Sequence, residues 1–169
     1  MTSAPDSLTI FPARDDTSLA QARSIFLEYA TWIESTHGYS LSKQSFTSEL
    51  ASLPGRYSPP EGEILLACHG GTAAGAIAFY RLEDGIAELK RFYVLPAMAG
   101  LGIGTALFDA ALHVAKARGY TSIRLDTLKS MTHARALYAH YAFREIPPYN
   151  DNYKDTPDLL YYALDLSTI

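Results

Sequence analysis

The chain has 169 residues, 48% of them hydrophobic and 19% charged, enough apolar material for one folded domain spanning residues 1–169. A formal net charge of -4, with no run of Lys or Arg, excludes the basic footprint of a nucleic-acid binder and points to a small-molecule partner. The lone Cys68, inside the apolar run 64–68, excludes an intramolecular disulfide and reads as a buried, inert thiol. No basic-then-apolar leader opens the chain and no stretch of ~18 apolar residues occurs, so a cytoplasmic protein without membrane contact is expected.

In chain order, residues 8–11 read as a short strand, and Asp15, Asp16, Thr17 and Ser18 offer caps for a helix. That helix carries Leu19, Ala22, Phe26, Tyr29, Ala30 and Ile33 on one face and ends before Gly38. Phe46, Leu50 and Leu53 suggest a second short helix, stopped by Pro54 and Gly55, and a loop follows over 55–62. Residues 64–68 and 73–82 read as strands joined across His69, Gly70, Gly71 and Thr72. A further turn at 82–85 leads into a strand over 86–95, a helix over 105–118 and a strand over 122–126. A helix over 131–141, with Ala134, Leu137, Tyr138 and Tyr141 inward, and a last strand over 159–166 complete the chain. Antiparallel segments followed by a strand, helix, strand unit predict an α/β (α+β) fold, a mixed sheet flanked by helices.

Between the strand over 86–95 and the next helix lie Gly100, Gly102 and Gly104. Glycines here let backbone N–H groups approach an anion, with the unpaired donors and positive end of the helix behind them. The ligand expected is a phosphate-bearing cofactor. A dinucleotide-binding unit is one reading, with Asp126 as its acidic residue, but the pattern is G-x-G-x-G, residues 96–99 intervene after the strand, and only one crossover remains for a fold that needs two halves.

The sequence resembles the GNAT superfamily of acyl-CoA-dependent N-acetyltransferases over nearly its whole length. The segment 99–104 after Val94-Leu95-Pro96 follows that family's Q/R-x-x-G-x-G/A signature, and Met131, Ala134, Leu137-Tyr138 and Ala142-Phe143 follow its N-x-x-A-x-x-L-Y-x-x-x-G-F helix. Three positions depart: Ala99 stands for Arg or Gln, Met131 for Asn, Ala142 for Gly. The resemblance implies a twisted, mostly antiparallel sheet of six or seven strands with about four helices. It also implies acetyl-CoA as cofactor, its pyrophosphate on the N–H groups of Leu101, Gly102, Ile103, Gly104 and Thr105 beside Gly100, and its pantetheine along the strand edge at Phe92 and Val94. The Val94 N–H would polarise the thioester carbonyl.

An alkyl amine has a pKa near ~10.4 and must lose a proton to attack. The resemblance assigns that proton to Glu88, and assigns to Tyr138 the acid, or hydrogen-bond donor, that serves the leaving thiolate. Substrate choice would rest on the first helices, the loop 55–63 and the segment 147–153. Tyr29, Trp32, Tyr57, Tyr149 and Tyr153, with Glu28 and Asp151, could form an aromatic, acidic pocket for a cationic amine.

The five histidines lack metal-ligand spacing, so no metal is expected, and no G-x-S-x-G elbow occurs. The reading is therefore acetyl transfer to a primary amine of a small molecule by direct transfer in a ternary complex. Alternatives are a non-catalytic acyl-CoA-binding or sensor domain and acetylation of a protein or peptide amine. An exposed sheet edge would suit a homodimer.

Overall fold

A computed structural model describes residues 6–169, leaving aside the side chains of Lys43 and Gln44. Among the described residues the strands are Leu8–Pro12 (β1), Glu63–His69 (β2), Thr72–Glu83 (β3), Ile86–Val94 (β4), Ser122–Leu128 (β5), Arg144–Ile146 (β6) and Leu159–Asp165 (β7). The α-helices are Asp16–His37 (α1), Phe46–Ala51 (α2), Ile103–Ala117 (α3) and Thr132–His140 (α4). All seven strands share one sheet in the order β1-β2-β3-β4-β5-β7-β6. Neighbours are antiparallel except β4 and β5, which α3 connects in parallel.

Local chemistry accounts for the long helix. The Asp15 carboxylate accepts from the Ser18 N–H at 2.7 Å, and Gly38, at φ 68°, takes the left-handed conformation that closes the other end. Alternation along the strands then divides the core. Leu65, Ile77, Phe79 and Leu89 meet Leu107, Phe108 and Leu112 of α3 on one face. Ile64, Leu66, Ala76 and Ala78 meet Phe26 and Ile33 of α1 and Phe46 of α2 on the other.

The sequence reading misses β6, and α3 begins at Ile103 rather than Thr105, while β5 runs on to Leu128. Cys68 is half-buried rather than buried, and partial burial pushes its thiol pKa up, away from reactivity. No helix among the described residues is long and apolar enough to cross a membrane.

Candidate active site

The two parallel strands pair over three positions only, Ile86 with Ser122, Ala87 with Ile123 and Glu88 with Arg124. Beyond Glu88 they part. The cause lies on β4, where the register to β3 slips between Ala76 and Ala78 and Arg91 sits at φ 59°, a bulge that bends the strand away. Leu95 N–H still donates to Ala74 at 2.8 Å, so strand alternation turns the Val94 N–H the other way, toward the opening. The resulting cavity passes through the sheet, lined by Phe92, Phe108 and Tyr138 toward α3 and α4 and by Tyr29, Tyr39 and Met131 toward α1, with Lys90 and Asp126 between.

A groove of about 660 Å³ leads to this opening along the β4 edge. It is lined by Phe92, Val94, Gly100, Gly102, Ile103, Gly104 and Thr105, together with Trp32 and Leu137, which gathers nearly every residue expected to hold the cofactor. Leu101 stands apart, half exposed and off the lining. Gly100 and Gly102 have φ of 80° and 76°, and a Cβ on either would meet nothing within 4 Å. They are required by conformation and leave open space before α3. Gly104 has no positive φ, and its added Cβ would make only ordinary van der Waals contact with Phe92, at 3.5 Å. Gly102 caps α3 with no side-chain bond, and the first helical bond is Ala106 N–H to Gly102, which leaves the N–H groups of Ile103, Gly104 and Thr105 without helical partners. Such a terminus fits a phosphate.

On the α1 side of β4, Glu88 is 2% exposed and accepts from Lys90 Nζ at 2.8 Å. Lys90 also reaches Asp126 on β5 at 3.4 Å, so one buried ammonium serves two carboxylates. Burial alone would lower the Lys90 pKa, but the charges of Asp126 and Glu88 outweigh it and hold the group well above its ordinary value. Tyr80 is the cross-strand partner of Glu88. Tyr149 Oη is buried beside Glu88 with no hydrogen bond of ordinary geometry among the described residues, and its pKa is driven up by burial and by the nearby charges of Glu88 and Asp126.

Tyr138 reaches the cavity from the other face, its ring packed between Phe108 and Phe143 at 5.6 and 5.8 Å. Burial raises its pKa far above 10, which keeps the phenol neutral and able to donate.

The expected substrate residues disperse. Tyr29, Trp32 and Tyr93 form one aromatic cluster beside the groove. Tyr149 lies by Glu88, edge-on to Tyr161. Tyr57 is a correction: it is fully buried in the α1-side core, its hydroxyl donating to Glu49 at 2.8 Å, so no ligand can touch it. Tyr153 is exposed on the 3-10 turn Asn152–Lys154 and lines none of these cavities. Glu28 is exposed and Asp151 pairs with Lys154 at 3.1 Å, so the acidic character comes instead from Glu88 and Asp126. Tyr80 was not anticipated at the site, whereas Asn150 lies in the segment 147–153 expected to face the substrate. Lys90 stands two residues from Glu88 and hence on the same strand face, where it pairs with that carboxylate.

The sequence profile of the acetyltransferase (GNAT) family matches residues 19–143. An uncharacterised N-acetyltransferase of Schizosaccharomyces pombe is 35% identical over 132 residues, 77% of this chain and 80% of that protein. An aminoglycoside N(6')-acetyltransferase of Klebsiella aerogenes is 33% identical over 107 residues, 59% of this chain and 69% of that one. Among solved structures, an acetyltransferase of Salmonella typhimurium with its cofactor acetyl-CoA superposes with a TM-score of 0.64 at 19% identity, covering 94% of each chain. With its sheet splayed beside an uncapped helix start and three quarters of its length matched, the chain belongs to the GNAT family of acetyltransferases.

Proposed function

We propose that this protein moves an acetyl group from acetyl-CoA to a primary amine of a small molecule, directly, in a ternary complex. The observation that carries the reading is the through-sheet cavity, which opens on one side to the groove at the α3 N-terminus and on the other meets the Lys90–Asp126 pair beside Glu88. Gly100, Gly102 and the free N–H groups of Ile103 to Thr105 would hold the pyrophosphate, and the β4 edge at Phe92 and Val94 the pantetheine. The cofactor supplies an activated acyl carbon, where a C–N bond forms as the C–S bond breaks.

This chain's residues would manage charge and protons. Val94 N–H faces the developing oxyanion, Glu88 receives the proton released by the amine nitrogen, and Tyr138 donates to the departing sulfur. Because burial disfavours a tyrosinate, Tyr138 acts best as a strong hydrogen-bond donor while the thiolate awaits a solvent proton. The relative that acts on aminoglycosides supports a small-molecule acceptor.

One observation favours a second reading. Lys90 already occupies the Glu88 carboxylate, as suits a domain that binds an acyl-CoA without turning it over. Calorimetric titration with acetyl-CoA, with NAD as control, followed by a thiol-release screen over amines, separates the two. Binding with turnover supports transfer, binding with no turnover of any amine supports the sensor, and binding of neither nucleotide removes both.

A further inference from the structure

Beside Glu88, on the face opposite the cofactor groove, lies a polar pocket of about 280 Å³ lined by Ser45, Arg56, Tyr80, Glu88, Lys90, Asn150 and Asn152. Its two ends carry opposite charge. At one end two carboxylates, Glu88 and Asp126, share the single ammonium of Lys90. At the other, two guanidiniums, Arg56 and Arg91, both contact the carboxylate of Glu49, at 2.7 Å each. Counted over these side chains alone, the first end carries one negative charge in excess and the second one positive. Tyr80 spans the distance between them: it is the cross-strand partner of Glu88, and the Arg56 guanidinium carbon lies over its ring, 4.2 Å from the centroid.

The donors at the positive end are oriented and only partly used. The hydrogen bonds of Arg56 to Glu49 and Tyr57 both run through Nη2, so that among the described residues Nε and Nη1 have no acceptor and can serve another. Asn150, which lines the pocket, accepts through Oδ1 from Tyr161 Oη at 2.6 Å and from the Asn152 N–H at 3.0 Å, so its two amide hydrogens have no acceptor among the described residues. A guanidinium with a free edge and a carboxamide presenting N–H are the chemistry of carboxylate recognition.

We propose, building on the acetyl-transfer reading, that the acceptor is an amine bearing a carboxylate a few bonds from its nitrogen, a free amino acid in the simplest case. The carboxylate sits on Arg56 and Asn150, and the nitrogen points at Glu88 and the through-sheet cavity. A polycation would put positive charge against Arg56, and a peptide N-terminus lacks the adjacent carboxylate.

The test is kcat/KM for acetyl-CoA-dependent thiol release with free amino acids, their amides and their decarboxylated amines, on wild type and on Arg56→Gln and Arg56→Lys. Preference for the acid over its amide on the order of tenfold or more is expected, arising in KM. The ratio should collapse toward one in Arg56→Gln and recover in part in Arg56→Lys. Acetyl-CoA affinity, measured at the distant groove, reports whether the variants are folded. Equal rates for acid and amide in wild type, a preference for polyamines, or an unchanged ratio in Arg56→Gln would overturn the carboxylate assignment while leaving acetyl transfer standing. No turnover of any amine would overturn both.

Discussion

The Phe143 N–H donates to the Tyr138 carbonyl at 3.0 Å, and their rings pack 5.8 Å apart. Together with the Ala142 N–H bond to Ala139, this closes α4 as a Schellman turn, so the residue proposed to donate to sulfur is clamped through its own main chain. Its hydroxyl can therefore be removed without moving the ring. Tyr138→Phe should lower kcat on the order of 10²-fold while acetyl-CoA affinity stays nearly constant. Calorimetry and steady-state kinetics check this, and a fully active variant would remove Tyr138 from the mechanism.

The same turn places Ala142 at φ 63°, a conformation that suits glycine. A Cβ there costs roughly 1–2 kcal/mol, offset in part by the greater freedom of glycine in the unfolded chain. Ala142→Gly should stabilise the protein by about 1 kcal/mol, a Tm rise of roughly 2–4 °C. Thermal unfolding decides, and a lower Tm would show that this alanine makes packing contacts worth more than its strain.

Glu88→Gln leaves Lys90 its partner Asp126, so the fold should persist while the proton acceptor is lost. At pH 7 kcat should drop on the order of 10²-fold or more, and the deficit should shrink as pH rises toward the amine pKa, because bulk water then delivers neutral amine. A pH–rate profile parallel to that of wild type would show that Glu88 takes no proton.

Gly102, at φ 76° with open space around it, can accept a side chain at the cost of backbone strain alone, roughly 1–2 kcal/mol. The same side chain would stand where a phosphate should meet the α3 N-terminus. Gly102→Val should thus weaken acetyl-CoA far more than it lowers stability. Unchanged affinity in the titration would dismiss the phosphate assignment.

What the sequence made legible was local. The 3.6-residue period of α1, its Asp15 and Gly38 caps and the glycine turn each lie within one stretch of chain, and the structure has them in place. The three-residue β6 has no period to detect and exists because β7 offers it an edge. Lys90 and Asp126 are 36 residues apart and meet only where β4 and β5 diverge, so an acid weighed at first as part of a dinucleotide-binding unit proves to flank Glu88 through Lys90. Tyr57 has the composition of a pocket residue, yet Glu49 draws its hydroxyl into the core. The bulge at Arg91 carries no glycine to announce it.

Glu49 holds together the positive end of the polar pocket, accepting from Arg91 Nε and Arg56 Nη2 and from the Tyr57 hydroxyl. Burial alone would raise its pKa, but the hydrogen bond and charge of Arg91, aided by Tyr57 and Arg56, outweigh burial and leave it below the usual carboxylate value. The sign follows: a carboxyl depressed on folding contributes stability that is complete above its unfolded pKa near ~4.3 and is lost as pH falls through the lower folded value. Glu49→Gln removes the carboxylate charge that faces the guanidinium of Arg91, whose side chain is only 2% exposed, so it should destabilise the protein at pH 7 by about 3 kcal/mol. As pH falls through that lower folded value the wild-type carboxyl takes up a proton and the two proteins should converge. Urea unfolding at pH 7 and pH 3 measures both gaps, and a difference that stays constant between them would mean that the charge on Glu49 contributes nothing beyond its hydrogen bonds.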